Sequence, residues 1–286
     1  MNPINTLRYR ELFHINLWKR LFLYSSLIFL VGILFSACKE NEPEEPVDTS
    51  GKIVFNFKHF LDGSPVLFDT LLYTNAAGNP YLVNEIQYFI SDVTLFNHNG
   101  TEILIDDWKD LHYVDTDIPN SHKWEVFDKI PEGTYDSISF TFGIPEEKNI
   151  SFMFVNPPES FMFWPEFLGG GYHSMKLNGK WLEEGQQIQT TPFDFHLGRG
   201  QIYHSYPDSI TGFIPNDFKV SLPGSYFIME SNNILEFDII MHIENWFKDP
   251  HIYDHDVWGG YIMQNQDAMQ IVKENGYNVF SVKIVK

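Results

Sequence analysis

The stretch Gly51-Lys52-Ile53-Val54-Phe55-Asn56-Phe57-Lys58-His59 sets the fold class of this chain. Ile53, Phe55, Phe57 and His59 fall on one face of an extended segment and Lys52, Asn56 and Lys58 on the other, the period-two pattern of a half-buried strand. His59 therefore points with the aromatics. The rest of the chain continues in the same way, with short alternating runs punctuated by Gly, Pro, Asn and Asp, which is the pattern of an all-β sandwich or barrel. Strands are expected at Ile86–Phe96, Glu102–Ile105, Ser137–Phe142, Gly171–Leu177, Pro192–Leu197, Ile234–Ile243 and Val279–Val285. Asn97-His98-Asn99-Gly100 reads as a hairpin turn, because Asn-Gly tolerates positive φ. Gln266–Glu274 reads as the one short helix, with Asn265 as N-cap and Gly276 past its end. The expectation is a mostly β chain, with a single β-sandwich-like domain over residues 51–286 and one short helix near the C-terminus.

Composition agrees with this reading. Of 286 residues, 43% are hydrophobic and 16% aromatic, with 26 Phe, 14 Tyr and 7 Trp, side chains that suit pleated, half-buried surfaces. Acidic residues outnumber basic ones 38 to 19. Such a surface repels polyphosphate and concentrates cations, so nucleic acid is excluded as a partner.

The first 50 residues read as an address and a tether. Arg8, Arg10, Lys19 and Arg20 precede an uncharged run from Leu21 to Ala37 that closes on Phe35-Ser36-Ala37-Cys38. A membrane anchor competes with a cleaved signal here, and the small residues before the single cysteine favour the signal. The arrangement resembles a bacterial lipobox, which makes residues 1–37 a signal peptide and Cys38 the lipid-attachment residue. Removing residues 1–37 leaves 15 basic against 37 acidic residues, a net charge of about −22. Residues 38–50, rich in Glu and Pro, then form an extended acidic tether. Its acidic start resembles the export tag of Bacteroidetes-type surface lipoproteins. The expected location is the outer membrane, on its periplasmic face or at the cell surface. With Cys38 acylated, any metal site must be built from His, Met, carboxylate or carbonyl groups.

Ten of eleven histidines follow the signal. His59, His173, His196 and His255 stand out by context, since neighbouring strands can each supply one neutral imidazole without close sequence spacing. Asp194 and Asp256 are candidate acceptors that would orient neighbouring rings. Each histidine taken singly is also compatible with a hydrogen-bonded core or surface residue.

Phe161-Met162-Phe163-Trp164-Pro165, the stretch Gly171-Tyr172-His173-Ser174-Met175-Lys176-Leu177-Asn178-Gly179 and Phe195-His196-Leu197-Gly198 together resemble the core signature of the MbnP-like copper-binding domain. Ser91–Leu95, Pro131–Tyr135 leading into Ser139–Gly143, and Asn275–Val282 fit the same family in the same order. The resemblance implies an exported β-rich protein that binds copper through histidines, in some members beside a tryptophan oxidised to kynurenine. In this chain Glu166 stands where the family has a second Trp, so Trp164 is expected to be a packed aromatic. His59, His173 and His196 are the expected ligands, with His255, His242 and Met263 as candidates for a fourth. Met162, Met175, Met241, Met263 and Met269 offer thioethers that suit Cu(I), although eight Met in this length is ordinary core usage. Affinity is expected to fall as pH drops through about 6.5, where free imidazole protonates.

Copper acquisition or trafficking without catalytic turnover is the expected function, since no Gly-rich phosphate loop, Gly-x-Ser-x-Gly elbow or His-Glu-x-x-His helix occurs. An outer-membrane transporter or a haem-containing protein is the partner class the family implies. Two other functions compete. One is a surface adhesin or glycan-binding sandwich using Trp108, Trp124, Trp181, Trp246 or Trp258, with acidic residues holding Ca²⁺. The other is a hydrolase with paired carboxylates among Glu183, Glu184, Asp254 and Asp256.

Overall fold

The computed structural model describes residues 49–285. The apolar N-terminal run, Cys38 and most of the acidic tether lie outside the described residues. The opening stretch forms the strand Ser50–Leu61, whose alternating residues Ile53, Phe55 and Phe57 are buried. It pairs in parallel with Ile234–His242, which in turn pairs antiparallel with Phe280–Ile284. Short strands at Ser64–Pro65, Lys123–Glu125 and Ile130–Pro131 complete this smaller sheet.

The larger sheet is ordered Thr190–Leu197, Met175–Leu182, Pro80–Asn97, Gly133–Phe142, Phe218–Leu222, with shorter strands attached to the two central members. Aromatic rings from both sheets meet between them. Phe57 packs on Tyr88 with centroids 6.4 Å apart, and Phe280 meets Phe140 and Phe142 at 5.2 and 5.4 Å. The result is a mostly β, sandwich-type fold. Fully burying a Phe stabilises by about 1.5–3 kcal/mol, which explains how a chain so rich in Phe holds together around this seam and a second, smaller cluster built on Phe89, Tyr113 and Tyr172. The helix runs over Gln266–Asn275, with the Asn265 side chain accepting from the Ala268 amide at 3.1 Å, as the capping pattern predicts. Among the described residues no helix is long and apolar enough to cross a membrane.

Several elements differ from the sequence reading. Leu111–Asp115 is a strand in which all five residues are buried, so no alternation marks it. A separate hairpin, Gly200–Ser205 with Ser209–Ile214, also escaped the pattern, as did Phe218–Leu222. The strand expected from Gly171 begins only at Met175. Gly169, Gly170 and Gly171 all take positive φ, at 113°, 66° and 83°, and three such residues in a row cannot continue a strand. Residues 171–174 instead form the loop that carries His173.

Candidate metal centre

The loop is built by its glycines. Phe163 bridges Tyr172 antiparallel, and the Trp164 amide donates to the Gly171 carbonyl at 2.8 Å, closing a small hairpin over residues 164–171. At its tip the chain must pass close to Ser151 and Asn149. A Cβ on Gly170 would come within 2.5 Å of Ser151 Oγ, and one on Gly171 within 2.6 Å of Asn149 Oδ1. Those two side chains use the space to accept from the Gly171 and Tyr172 amides, at 2.8 and 2.7 Å. The glycine run thus delivers His173 to a fixed place.

His173 is buried, and its Nδ1–H donates to the Met162 carbonyl at 2.8 Å. That bond fixes the tautomer and leaves Nε2 with a lone pair. Nε2 is buried and has no hydrogen-bond partner. Across the sheet, His196 meets the same ring edge-on, with centroids 5.2 Å apart. Its Nε2–H donates to Asn178 Oδ1 at 2.7 Å. The Asn178 amide is oriented in turn, because its Nδ2 donates to Glu85 at 3.1 Å. His196 therefore holds its lone pair on Nδ1. Two imidazoles, each anchored through one nitrogen and each keeping the other as a base, stand side by side.

Both rings are held neutral. Burial pushes His173 well below the ordinary imidazole range, helped by the neighbouring His196 and Lys176. Burial, then Lys176, lowers His196 to about 3. Lys176 is itself shifted down by burial, against the pull of Glu85, Asp115 and Asp194, and its Nζ donates to the Phe161 carbonyl at 2.6 Å. Trp164 closes the site. It is fully buried, donates Nε1–H to the Leu168 carbonyl at 3.1 Å and lies 4.6 Å from the His173 ring. Gly198 exists to make room for it, since a Cβ there would lie 2.4 Å from Trp164 Cε3.

The third expected ligand sits elsewhere. His59 shares a 3.1 Å hydrogen bond with the Tyr88 hydroxyl and meets His122 at 5.6 Å. Among the described residues, His59, His173 and His196 do not form a set whose coordinating atoms lie within 4.8 Å of one another; only Asp106, Asp107 and Asp128 do. The side chains considered for a fourth ligand are engaged in other surroundings. His255 is boxed by Trp181, Phe193, Phe247 and Tyr253, His242 Nε2 bonds Ser281 Oγ at 2.7 Å, and Met263 packs on the main core.

Second-layer roles also shifted. Asp194 faces Asn178 across the strand pair, and it is Asn178 rather than Asp194 that orients His196. Asp256 accepts from Trp181 Nε1, the Glu184 amide and Asn79, so it braces a loop instead of a histidine. Asn178 escaped the sequence reading because its diagonal relation to His196 depends on strand register, which no local pattern encodes.

The tryptophans named for the glycan-binding reading are dispersed, whereas the carboxylates named for the hydrolase reading, Glu183, Glu184, Asp254 and Asp256, line one surface pocket, where Glu183, Asp254 and Asp256 are taken up by structural hydrogen bonds. Trp124, Trp181 and Trp246 are buried and Trp258 is half-buried, leaving Trp108 as the exposed member of that group. Glu183 accepts from Thr191 Oγ1 at 2.6 Å, and Asp254 accepts from Asn79 and the Asp256 amide.

Similarity to known proteins follows this architecture. A solved structure titled MbnP from Methylosinus trichosporium shares the fold, with a TM-score of 0.52 and 15% identity, covering 84% of this chain and 100% of that one. Comparison with curated proteins gives no match. The family model described as MbnP matches residues 50–267, from the first strand past the segments that carry Trp164, His173 and His196. The match takes in well over half of the sequence, so the chain belongs to the MbnP family.

Proposed function

We propose that this protein binds copper, as Cu(I), with His173 and His196 as its ligands, and serves copper acquisition or trafficking without catalytic turnover. The observation that carries this reading is the buried, unpartnered Nε2 of His173 beside a second imidazole whose anchored Nε2–H leaves its lone pair on Nδ1. An unsatisfied buried nitrogen costs about 1–3 kcal/mol, and a soft cation relieves that cost where no donor is available. Two neutral imidazoles suit Cu(I), which accepts few ligands, better than Zn²⁺, whose structural sites take four and catalytic sites three from the protein. Family membership supports the same metal. The reading extends to an exported protein anchored in the outer membrane through a lipid on Cys38, with a copper-handling membrane transporter or haem protein as partner.

The test is an anaerobic Cu(I) competition titration of the full chain in detergent. One equivalent binds to the wild type, and His173→Ala and His196→Ala each weaken binding by more than about 100-fold, beyond the 10–100-fold typical of losing a ligand's supporting partner. Wild-type affinity in the double variant would overturn the proposal. Anchoring is tested separately, since Cys38→Ser removes the lipid from the mature N-terminus without changing copper affinity. A glycan-binding reading retains one favourable observation, the 89% exposed Trp108 packed at 6.1 Å on the 64% exposed Phe127. Sugar binding lost in Trp108→Ala would support it.

A further inference from the structure

Asp106, Asp107 and Asp128 each present a carboxylate oxygen within 4.8 Å of the other two. Asp106 and Asp107 follow the strand Glu102–Leu104 of the larger sheet, while Asp128 lies between Lys123–Glu125 and Ile130–Pro131 of the smaller one. Buried residues fix both segments. Ile105 donates its amide to Val93 just before the pair, and Val126 and Ile130 are buried on either side of Asp128.

Asp128 is only 5% exposed and turns its carboxylate toward the other two. Its Oδ1 accepts from the amides of Asp106 and Asp107, at 3.0 and 3.2 Å, whereas its Oδ2 is buried with no hydrogen-bond partner. The ion pairs of Lys58, Lys123, Lys148, Arg199 and Lys248 all go to other carboxylates. Three carboxylates at this spacing repel one another, and a buried oxygen without a donor has lost its hydration as well. A divalent cation offsets both penalties at once.

We infer that Asp106, Asp107 and Asp128 form a calcium site that clips the two sheets together at this edge of the sandwich. The donors are all hard oxygens, which Ca²⁺ prefers and Cu(I) does not. Both segments are irregular loops, and Ca²⁺ accepts the variable geometry and added carbonyl or water ligands that such loops offer, whereas Mg²⁺ demands a near-ideal octahedron. The clip does the work of a disulfide in a chain whose single cysteine lies outside this domain. It is independent of the copper reading, sharing no residue with it.

Calorimetric titration of the EDTA-stripped full chain with CaCl₂ tests the site. One Ca²⁺ binds per chain with Kd of order 10⁻⁴ M, as in extracellular modules, and saturating Ca²⁺ raises Tm. Asp128→Asn weakens binding at least about tenfold, because site affinity follows ligand charge. Since that residue is buried, the exposed double variant Asp106→Asn/Asp107→Asn serves as the second probe; it folds normally and also loses both the binding and the Tm shift. Absence of saturable binding up to about 10 mM Ca²⁺ would overturn the proposal, as would unchanged binding in the exposed double variant or a preference for Mg²⁺.

Discussion

Among the described residues two pairs of imidazoles meet edge-on, His173 with His196 at 5.2 Å and His59 with His122 at 5.6 Å. Burial lowers His196 and His59 alike, each to about 3. The difference lies in what the ring nitrogens do. In the second pair, His59 Nε2 meets the Tyr88 hydroxyl and His122 Nε2 donates to the Asp115 carbonyl at 2.9 Å, so the rings tie the first strand to the larger sheet. In the first pair, each ring is anchored at one nitrogen and the His173 Nε2 is left buried and bare. An orphaned nitrogen alone is not diagnostic. His112 and His255 have them too, but His112 is stacked between Phe57 and Trp124, and His255 between Trp181 and Phe193. Proximity of histidines therefore says little about a metal; a buried nitrogen without a partner next to a second imidazole, with no aromatic ring stacked on either face of its own ring, says more.

The sharpest way to break this comparison is to exchange the roles of the pairs in copper titrations. His173→Ala or His196→Ala costs more than about 100-fold in Cu(I) affinity, while His59→Ala/His122→Ala leaves it within about threefold. The latter instead lowers folding stability by about 1–3 kcal/mol, because the fully buried Tyr88 hydroxyl loses its partner, as urea unfolding would show. Copper loss in the His59 variant would merge the two pairs into one site and end the distinction.

Acid separates the folded and unfolded states through the buried histidines outside the proposed copper pair. Burial holds His59 at about 3, and His112 and His255 at about 4, against about 6.5 in the unfolded chain. Between those values the unfolded state carries more protons, so stability rises with pH and is lost on acidification from about 6.5 toward 4. Each group contributes at most about 1.4 kcal/mol per pH unit. Metal-free protein unfolded in urea at pH 7.0 and 4.5 should differ by several kcal/mol; equal stabilities would mean that these rings are not buried neutral. The depressed range also revises the expectation drawn from free imidazole. On the copper reading, Cu(I) titrations of the wild type should show affinity held below pH 6.5 and lost only in more acidic solution.

Smaller effects probe the supports of the candidate site. Asn178→Ala frees His196 and lowers Cu(I) affinity about 10–100-fold, with little change in stability because the residue is only half-buried. Gly198→Ala drives a methyl into Trp164 and costs about 1–3 kcal/mol by overpacking, with a weaker effect on copper through the displaced indole. If thermal melts show Gly198→Ala to be neutral, Trp164 has more freedom beside His173 than the packing implies.

Local chemistry made the strands legible. Alternation of Ile53, Phe55 and Phe57, the Asn99-Gly100 turn and the Asn265 cap each depend on neighbours within a few positions, so the sequence could be read for them directly. The all-buried strand Leu111–Asp115 was invisible for the same reason, because burial on both faces erases the alternation. His173 and His196 could be named from the motifs around them, yet their partnership depends on the register that sets Lys176 opposite His196 and Asn178 diagonal to it. His59 shows the converse: its strand face was right, and the packing of the two sheets gave it to Tyr88 instead.

What the sequence determined by itself was the β class, the helix and the residue types able to hold a metal, since propensity and pattern act over short range. Only the tertiary structure decided which nitrogens remained without a partner and which carboxylates were forced together. Those outcomes depend on desolvation and on contacts between segments far apart in the chain, which no local stretch contains.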